Sequence, residues 1–194
     1  MKELINFAAV FMAERNLKYM ILRFFFKAFV FIQLALTVLA CSAQDQVEVN
    51  DMGYDLVLKT LLSHSVPEMD VKTLKGNIDD YTLLDAREEE EYAVSRIPTA
   101  KHVGYEYFSA DSLSAISKDQ AIVVYCSVGY RSEKITEKLK DLGYEDVYNL
   151  YGGIFEWVNQ DNQVVTGQEA EPTEKVHAYD KVWGAWLKKG EKVY

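Results

Sequence analysis

The feature that most constrains this chain is the run Ala121-Ile122-Val123-Val124-Tyr125, which shows no polar alternation and ends in Cys126. A strand of that kind is apolar on both sides and must be covered on both faces of its sheet. Other short apolar runs lie at Val66 to Met69, Tyr81 to Ala86, Lys101 to Val103 and Asp146 to Leu150. Between them the spacing predicts helices at Glu88 to Val94, Ser132 to Leu142 and Gly153 to Asn159. In the second, Ile135, Leu139 and Leu142 recur at i, i+4 and i+7, and Gly143 follows as a C-cap. A further helix is expected over Val49 to Leu62, with Asn50 or Asp51 as N-cap and Tyr54, Val57, Leu58, Leu61 and Leu62 on one face. Strands and helices alternating in this way predict an α/β fold, a mainly parallel five-stranded sheet with helices on both faces. Gln160 to Lys175 is polar and without pattern, so a loop is expected there.

The N-terminus stands apart. Arg23 and Lys27 precede an apolar run from Ala28 to Ala40, and small Ala40 comes before Cys41, the layout of a bacterial secretory signal. The stretch Val38-Leu39-Ala40-Cys41 resembles a lipobox, whose cysteine is lipidated and becomes the mature N-terminus. The alternative is an uncleaved anchor, but the run has 13 residues against the roughly 20 that a spanning helix needs. A start at Met20 accounts most simply for residues 1–19. The expected organisation is a leader over 1–41, a polar linker over 42–50, one domain over 51–160 and an extension over 161–194. The protein is then expected in the bacterial cell envelope, facing the periplasm on a lipid anchor, with Ser42 compatible with the outer membrane.

Charge and cysteine content narrow the function. The leader holds Lys2, Arg15, Lys18, Arg23, Lys27, Glu3 and Glu14, so the chain from Ser42 onward carries 16 basic and 28 acidic residues, a net −12. Such a surface repels nucleic acid and anionic lipid head groups, which leaves the N-terminal lipid as the only expected link to a membrane. With Cys41 committed to the leader, Cys126 stands alone, so neither a disulfide framework nor a cysteine-rich metal site is expected. A single thiol kept in an exported protein suggests reactivity; the bland alternative is an inert buried cysteine.

A thiol attacks only as the thiolate, so its surroundings must favour the anion. Cys126 is placed at the carboxyl end of the most buried strand, where parallel α/β sheets form their ligand sites. The following residues, Ser127, Val128, Gly129 and Tyr130, can curl so that their N–H groups face an anion beside the helix N-terminus. Gly129 permits the curl, Arg131 adds a fixed charge and a planar fork, and Ser132 is a candidate helix cap.

These residues carry a resemblance. Val123-Val124-Tyr125-Cys126-Ser127-Val128-Gly129-Tyr130-Arg131-Ser132 resembles the active-site loop of the single-domain rhodaneses, typically Cys-Arg-x-Gly-x-Arg or Thr followed by Ser. Leu83-Leu84-Asp85-Ala86-Arg87 is similar to the family's Leu-Asp-x-Arg strand. Ser95-Arg96-Ile97-Pro98-Thr99-Ala100 corresponds to its Gly-His-Ile-Pro-Gly-Ala turn, without the His and the glycines. Asn149-Leu150-Tyr151-Gly152-Gly153-Ile154-Phe155-Glu156-Trp157 corresponds to its Leu-x-Gly-Gly-x-x-x-Trp ending. The match spans about residues 51–160. Ser127 stands where many rhodaneses carry a second Arg, which weakens the case for thiosulfate as donor.

The resemblance implies a sulfurtransferase. Cys126 would take the outer sulfur of thiosulfate, polysulfide or a persulfide, hold it as a persulfide and pass it to a thiol or cyanide, with no cofactor or metal. Arg131 would bind the donor's anionic end, and Ser127, Val128, Gly129, Tyr130 and Ser132 would line the site. Asp85 and Arg87 either orient the pocket or form a structural ion pair, the second being favoured. Related phosphatases and arsenate reductases place five residues between Cys and Arg, against four here, so their chemistry is the weaker alternative. A catalytically idle domain serving as a tethered binding module is the other. The run Glu88 to Glu91 reads as acids favoured by a helix N-terminus, and His64, His102 and His177 lack ligand spacing. Trp183 and Trp186, three apart, share a face if helical and are expected to pack back on the domain.

Overall fold

The structure, a computed structural model, describes residues 47–194. The leader, its Cys41 and the linker as far as residue 46 lie outside the described residues. The central sheet contains β1 (Glu68–Met69), β2 (Thr82–Asp85), β3 (Lys101–His102), β4 (Ile122–Tyr125) and β5 (Val147–Leu150). Their order is β1-β5-β4-β2-β3, and every neighbouring pair is parallel. The expected five-stranded parallel sheet is therefore present, with each strand within the run that predicted it.

Side-chain alternation along the strands sorts the core into two layers. Leu83, Val123 and Tyr125 join one buried cluster, while Leu84, Ile122 and Val124 join the other. Helices α1 (Met52–Leu61), α2 (Val71–Gly76) and α5 (Gly153–Asn159) supply Tyr54, Leu58, Leu74, Ile154 and Phe155 to the first cluster. Helix α4 (Tyr130–Asp141) supplies Ile135 and Leu139 to the second. Helices thus cover both faces. Between β2 and β3 lies α3 (Glu89–Val94). Asp51, not Asn50, caps α1, accepting from the N–H groups of Gly53 and Tyr54 at 2.8 and 3.0 Å.

The structure departs from the expectations in three places. Helix α4 begins at Tyr130 with Gly129 as its N-cap, so Ser132 is an interior residue of the first turn and caps nothing. Gly129 has φ +121°, and this glycine-specific backbone lets the chain enter the helix early. The second is the short helix α2, for which the sequence carries no periodic signal and which Asp70 caps through the Thr73 N–H at 2.7 Å. Third, the segment from Gln160 to Lys175 is not a loop: β6 (Val164–Thr166) and β7 (Glu171–Thr173) form an antiparallel hairpin. Reciprocal bonds between Arg96 and Val165, each 2.9 Å, tie that hairpin to the 95–100 turn.

Beyond it, β8 (Lys175–His177) pairs in parallel with β9 (Glu191–Val193), enclosing a 3-10 turn at Trp183–Trp186. Val164, Val176, Ala178 and Leu187 are buried in the first cluster, and the Trp186 ring stacks on Tyr54 at 5.5 Å. Both tryptophans pack against that cluster, as expected of them.

Candidate active site

Strand β4 is buried along its whole length and sits between β5 and β2. From β4 the chain proceeds to β5 on one side; from β2 it proceeds to β3 on the other. A crevice at the carboxyl ends of two such strands is where open α/β sheets bind ligands. Cys126 is the first residue past β4 there, and it is 1% exposed.

The loop is held from below by α5. The N–H groups of Ile154 and Phe155, in the first turn of α5, donate to the carbonyls of Cys126 and Ser127 at 2.9 and 3.1 Å. Gly153 makes that approach possible: it has φ +56°, and a Cβ on it would lie 2.4 Å from the Cys126 carbonyl oxygen. With these carbonyls turned to α5, one N–H of the loop reaches the sulfur. Gly129 N–H donates to Cys126 Sγ at 3.1 Å. The N–H groups of Tyr130, Arg131 and Ser132 open α4 and have no acceptor within the helix. Their dipoles favour negative charge on Sγ or on an atom attached to it.

Ser132 Oγ is 3.5 Å from Sγ and only 2.6 Å from Asn149 Oδ1. A hydroxyl has one proton, and the shorter contact takes it. Asn149 Nδ2 in turn donates to the Gly129 carbonyl at 3.1 Å, so this buried amide fixes both ends of the turn. Asn149 precedes Gly152-Gly153 by three residues, and nothing in that local spacing links it to Ser132 or Gly129.

Arg131 departs from its expected role. Its two terminal nitrogens donate to Glu91 at 2.6 and 2.8 Å, and Nη2 also reaches Ser127 Oγ at 3.0 Å. Ser127 Oγ itself donates to Glu91 Oε1 at 3.0 Å. The guanidinium expected to bind a donor anion is thus already neutralised by a carboxylate. Burial acts to raise the Glu91 carboxyl, but the hydrogen bond and charge of Arg131 outweigh it and hold the group below its ordinary range. Burial likewise opposes the Arg131 charge, yet Glu91 and then Cys126 raise its pKa above the usual value. From sequence, Glu91 is one of several acids favoured by a helix N-terminus. It also accepts from the Glu88 N–H at 3.1 Å, the one role its place in the helix discloses.

Asp85 and Arg87 are fully buried and joined through three side-chain contacts, the shortest 2.6 Å, and the Arg87 N–H donates to Asp85 Oδ1 at 3.0 Å as well. Arg87 Nη2 also donates to the Ser95 carbonyl at 2.6 Å, tying β2 to the 95–100 turn. Neither residue lines the cleft at Cys126. His64 meets Glu68, His102 meets Glu89 and the Arg87 carbonyl, and His177 accepts from Tyr179 N–H. Each histidine is thus engaged locally, away from the others.

A cavity of about 250 Å³ opens over the sulfur, lined by Leu61, Cys126, Ser127, Val128, Tyr130, Arg131, Tyr179 and Trp183. Of the predicted lining residues, Ser127, Val128 and Tyr130 face it, while Gly129 reaches Sγ from behind through its N–H and Ser132 supports the turn through Asn149. Leu61, Tyr179 and Trp183 were not expected there, because nothing in local spacing brings the two ends of the domain to one loop.

Residues 70–160 match the family model described as "Rhodanese-like domain". The chain is 28% identical to a tRNA uridine(34) hydroxylase of Bdellovibrio bacteriovorus over 50% of its own length and 32% of that protein's. It is 30% identical to the Arabidopsis thaliana protein HIGH ARSENIC CONTENT 1, mitochondrial, over 48% of its own length and 63% of the other's. The chain therefore spans about a third and just under two thirds of these relatives. A solved thiosulfate sulfurtransferase from Pseudomonas aeruginosa is 21% identical with a TM-score of 0.51, covering 64% of this chain and 25% of that one, a likeness of fold.

Proposed function

From the premise that residues 70–160 form a rhodanese-like domain, we propose that the protein transfers sulfane sulfur through a persulfide on Cys126. The observation that carries this reading is the sulfur itself: buried at the end of β4, taking the Gly129 N–H at 3.1 Å and opening onto a cavity. In the first half-reaction the Cys126 thiolate attacks the outer sulfur of a donor. The bond between the donor's two sulfurs breaks, its electron pair leaves with the remainder of the donor, and Cys126 keeps the transferred atom. In the second, a thiol or cyanide attacks that atom and Cys126 departs as thiolate. The donor remainder keeps the electron pair that the acceptor supplies, so the two half-reactions balance without an external oxidant or reductant.

Within this scheme Arg131, fastened to Glu91, positions the loop and offsets charge on sulfur. That arrangement does not favour phosphatase chemistry, which needs a free arginine for its dianion. The net −12 beyond the leader also disfavours RNA, the substrate class named for the hydroxylase relatives. We place the protein in the bacterial envelope on a lipid at Cys41, a reading supported by the lipobox-like Val38-Leu39-Ala40-Cys41. The mass of the N-terminal peptide tests it.

The test of the chemistry is thiocyanate formation from a sulfane donor and cyanide. Wild-type protein should form it catalytically, and Cys126→Ser should lose at least about a thousandfold, the loss typical of removing a covalent nucleophile. Equal rates in the two proteins would refute the reading.

A further inference from the structure

The cavity over Cys126 is walled by residues from outside the matched domain. Leu61 comes from α1, before residue 70, and Tyr179 and Trp183 come from beyond residue 160. With Val128 and Tyr130 they make its lining predominantly apolar, and Arg131 is the one cationic side chain among the described residues that line it. That charge is matched by Glu91 at 2.6 and 2.8 Å. A dianion entering beside the Cys126 thiolate would therefore meet no unmatched positive side chain while losing its own hydration.

The aromatic wall is a built feature. Tyr179 has φ +65°, a left-handed backbone that bulky residues rarely adopt. Its N–H donates to His177 Nδ1 at 3.1 Å, and its ring lies 5.1 Å from the Arg131 guanidinium carbon. Trp183 is set by Asp180, whose Oδ1 accepts from the N–H groups of Val182 and Trp183, each at 2.8 Å. A dry apolar cavity of about 150 Å³ already takes benzene, so about 250 Å³ accommodates a ring-sized group.

We propose that the donor is a sulfane compound with an apolar body and at most one negative charge, such as an organic persulfide or a thiosulfonate. Tyr179 and Trp183 select it by packing on that body. This rests on the reading of Cys126 as a sulfur carrier. For a persulfide the step is R–S–SH plus the Cys126 thiolate giving R–S⁻ and Cys126–S–SH: one S–S bond breaks, another forms, and the released thiolate carries the charge.

Three probes separate the claims: benzenethiosulfonate, methanethiosulfonate and thiosulfate. The first two share charge and leaving-group type and differ in apolar body; the third is a small dianion. The rate of persulfide formation on the whole chain, purified in mild detergent, is divided by that of N-acetylcysteine with the same probe to remove intrinsic reactivity. The corrected rate for benzenethiosulfonate should exceed that for methanethiosulfonate by about tenfold, as burial of the extra apolar surface implies, with thiosulfate slowest. Tyr179→Asn, which removes the ring and suits the left-handed backbone, should lower the ratio at least about threefold, as should Trp183→Ala. Glu91→Gln, which unmatches the Arg131 charge, should raise the thiosulfate rate about tenfold relative to methanethiosulfonate.

A benzene-to-methane ratio near one in the wild type, or thiosulfate as the fastest probe, overturns the donor class and leaves the sulfur-carrier reading standing. An unchanged ratio in folded Tyr179→Asn protein overturns the role of the wall. No persulfide with any probe overturns the sulfur-carrier reading itself.

Discussion

At the residue scale, the site depends on a few contacts too close to be exchanged. Gly153 is the sharpest. A methyl group there would lie 2.4 Å from the Cys126 carbonyl and 2.7 Å from that of Ser127, on a backbone with φ +56°. Gly153→Ala should therefore destabilise the fold by about 3 kcal/mol or more, read as a drop in denaturant midpoint, and detach the loop from α5. An unchanged midpoint would contradict this account of how the loop is held. Glu91 gives a pH test. Its folded pKa is depressed, so its contribution is present above the unfolded value near 4.3 and is lost as pH falls through the lower folded value. The stability gap between wild type and Glu91→Gln should be constant from about pH 6 to 8 and shrink below about pH 4.3. A gap independent of pH down to acid unfolding would remove Glu91 from its place opposite Arg131.

At the element scale, β4 and α4 fix where the chemistry sits. Leu139 is fully buried in the cluster on one face of the sheet, facing Val124 and Ile122 of the same layer. Leu139→Ala should cost about 3 kcal/mol, measured by chemical denaturation, because the parallel sheet cannot collapse into the space. A loss well under 1 kcal/mol would mean that α4 is not seated on this face. Those elements were legible in the sequence because their signals are local: an unbroken apolar run for β4, a 3.6-residue period for α4, glycines for the turns. Cys126 and its loop were legible for the same reason. The Glu91–Arg131 pair was not, since 40 residues separate its members and each alone has an ordinary explanation. The β6–β7 hairpin was hidden because its strands are three residues long and one holds Pro172; its stability comes from docking at Arg96, a tertiary effect that local composition does not report.

At the scale of the whole molecule, the described residues exceed the matched domain in a way that matters for folding. Val164, Val176 and Leu187, all beyond residue 160, are 2% exposed or less. At roughly 1.5 to 3 kcal/mol for each such side chain, their burial amounts to about 6 kcal/mol, comparable to the 5–15 kcal/mol that holds a typical domain folded. Ending the chain at Gln160 should therefore abolish a cooperative thermal transition or lower its midpoint by more than about 10 °C. An unchanged transition would make the C-terminal segment an appendage. The same segment carries Tyr179 and Trp183 to the cavity, so the part of the molecule that completes the core also shapes what reaches the sulfur.

The central claim concerns one atom, and mass spectrometry tests it most directly. Folded protein exposed to benzenethiosulfonate, polysulfide or thiosulfate and then digested should show the Cys126 peptide heavier by one sulfur atom. Cyanide should remove that atom and release thiocyanate in equal amount. A folded sample in which no sulfane donor adds sulfur to Cys126 would contradict the account.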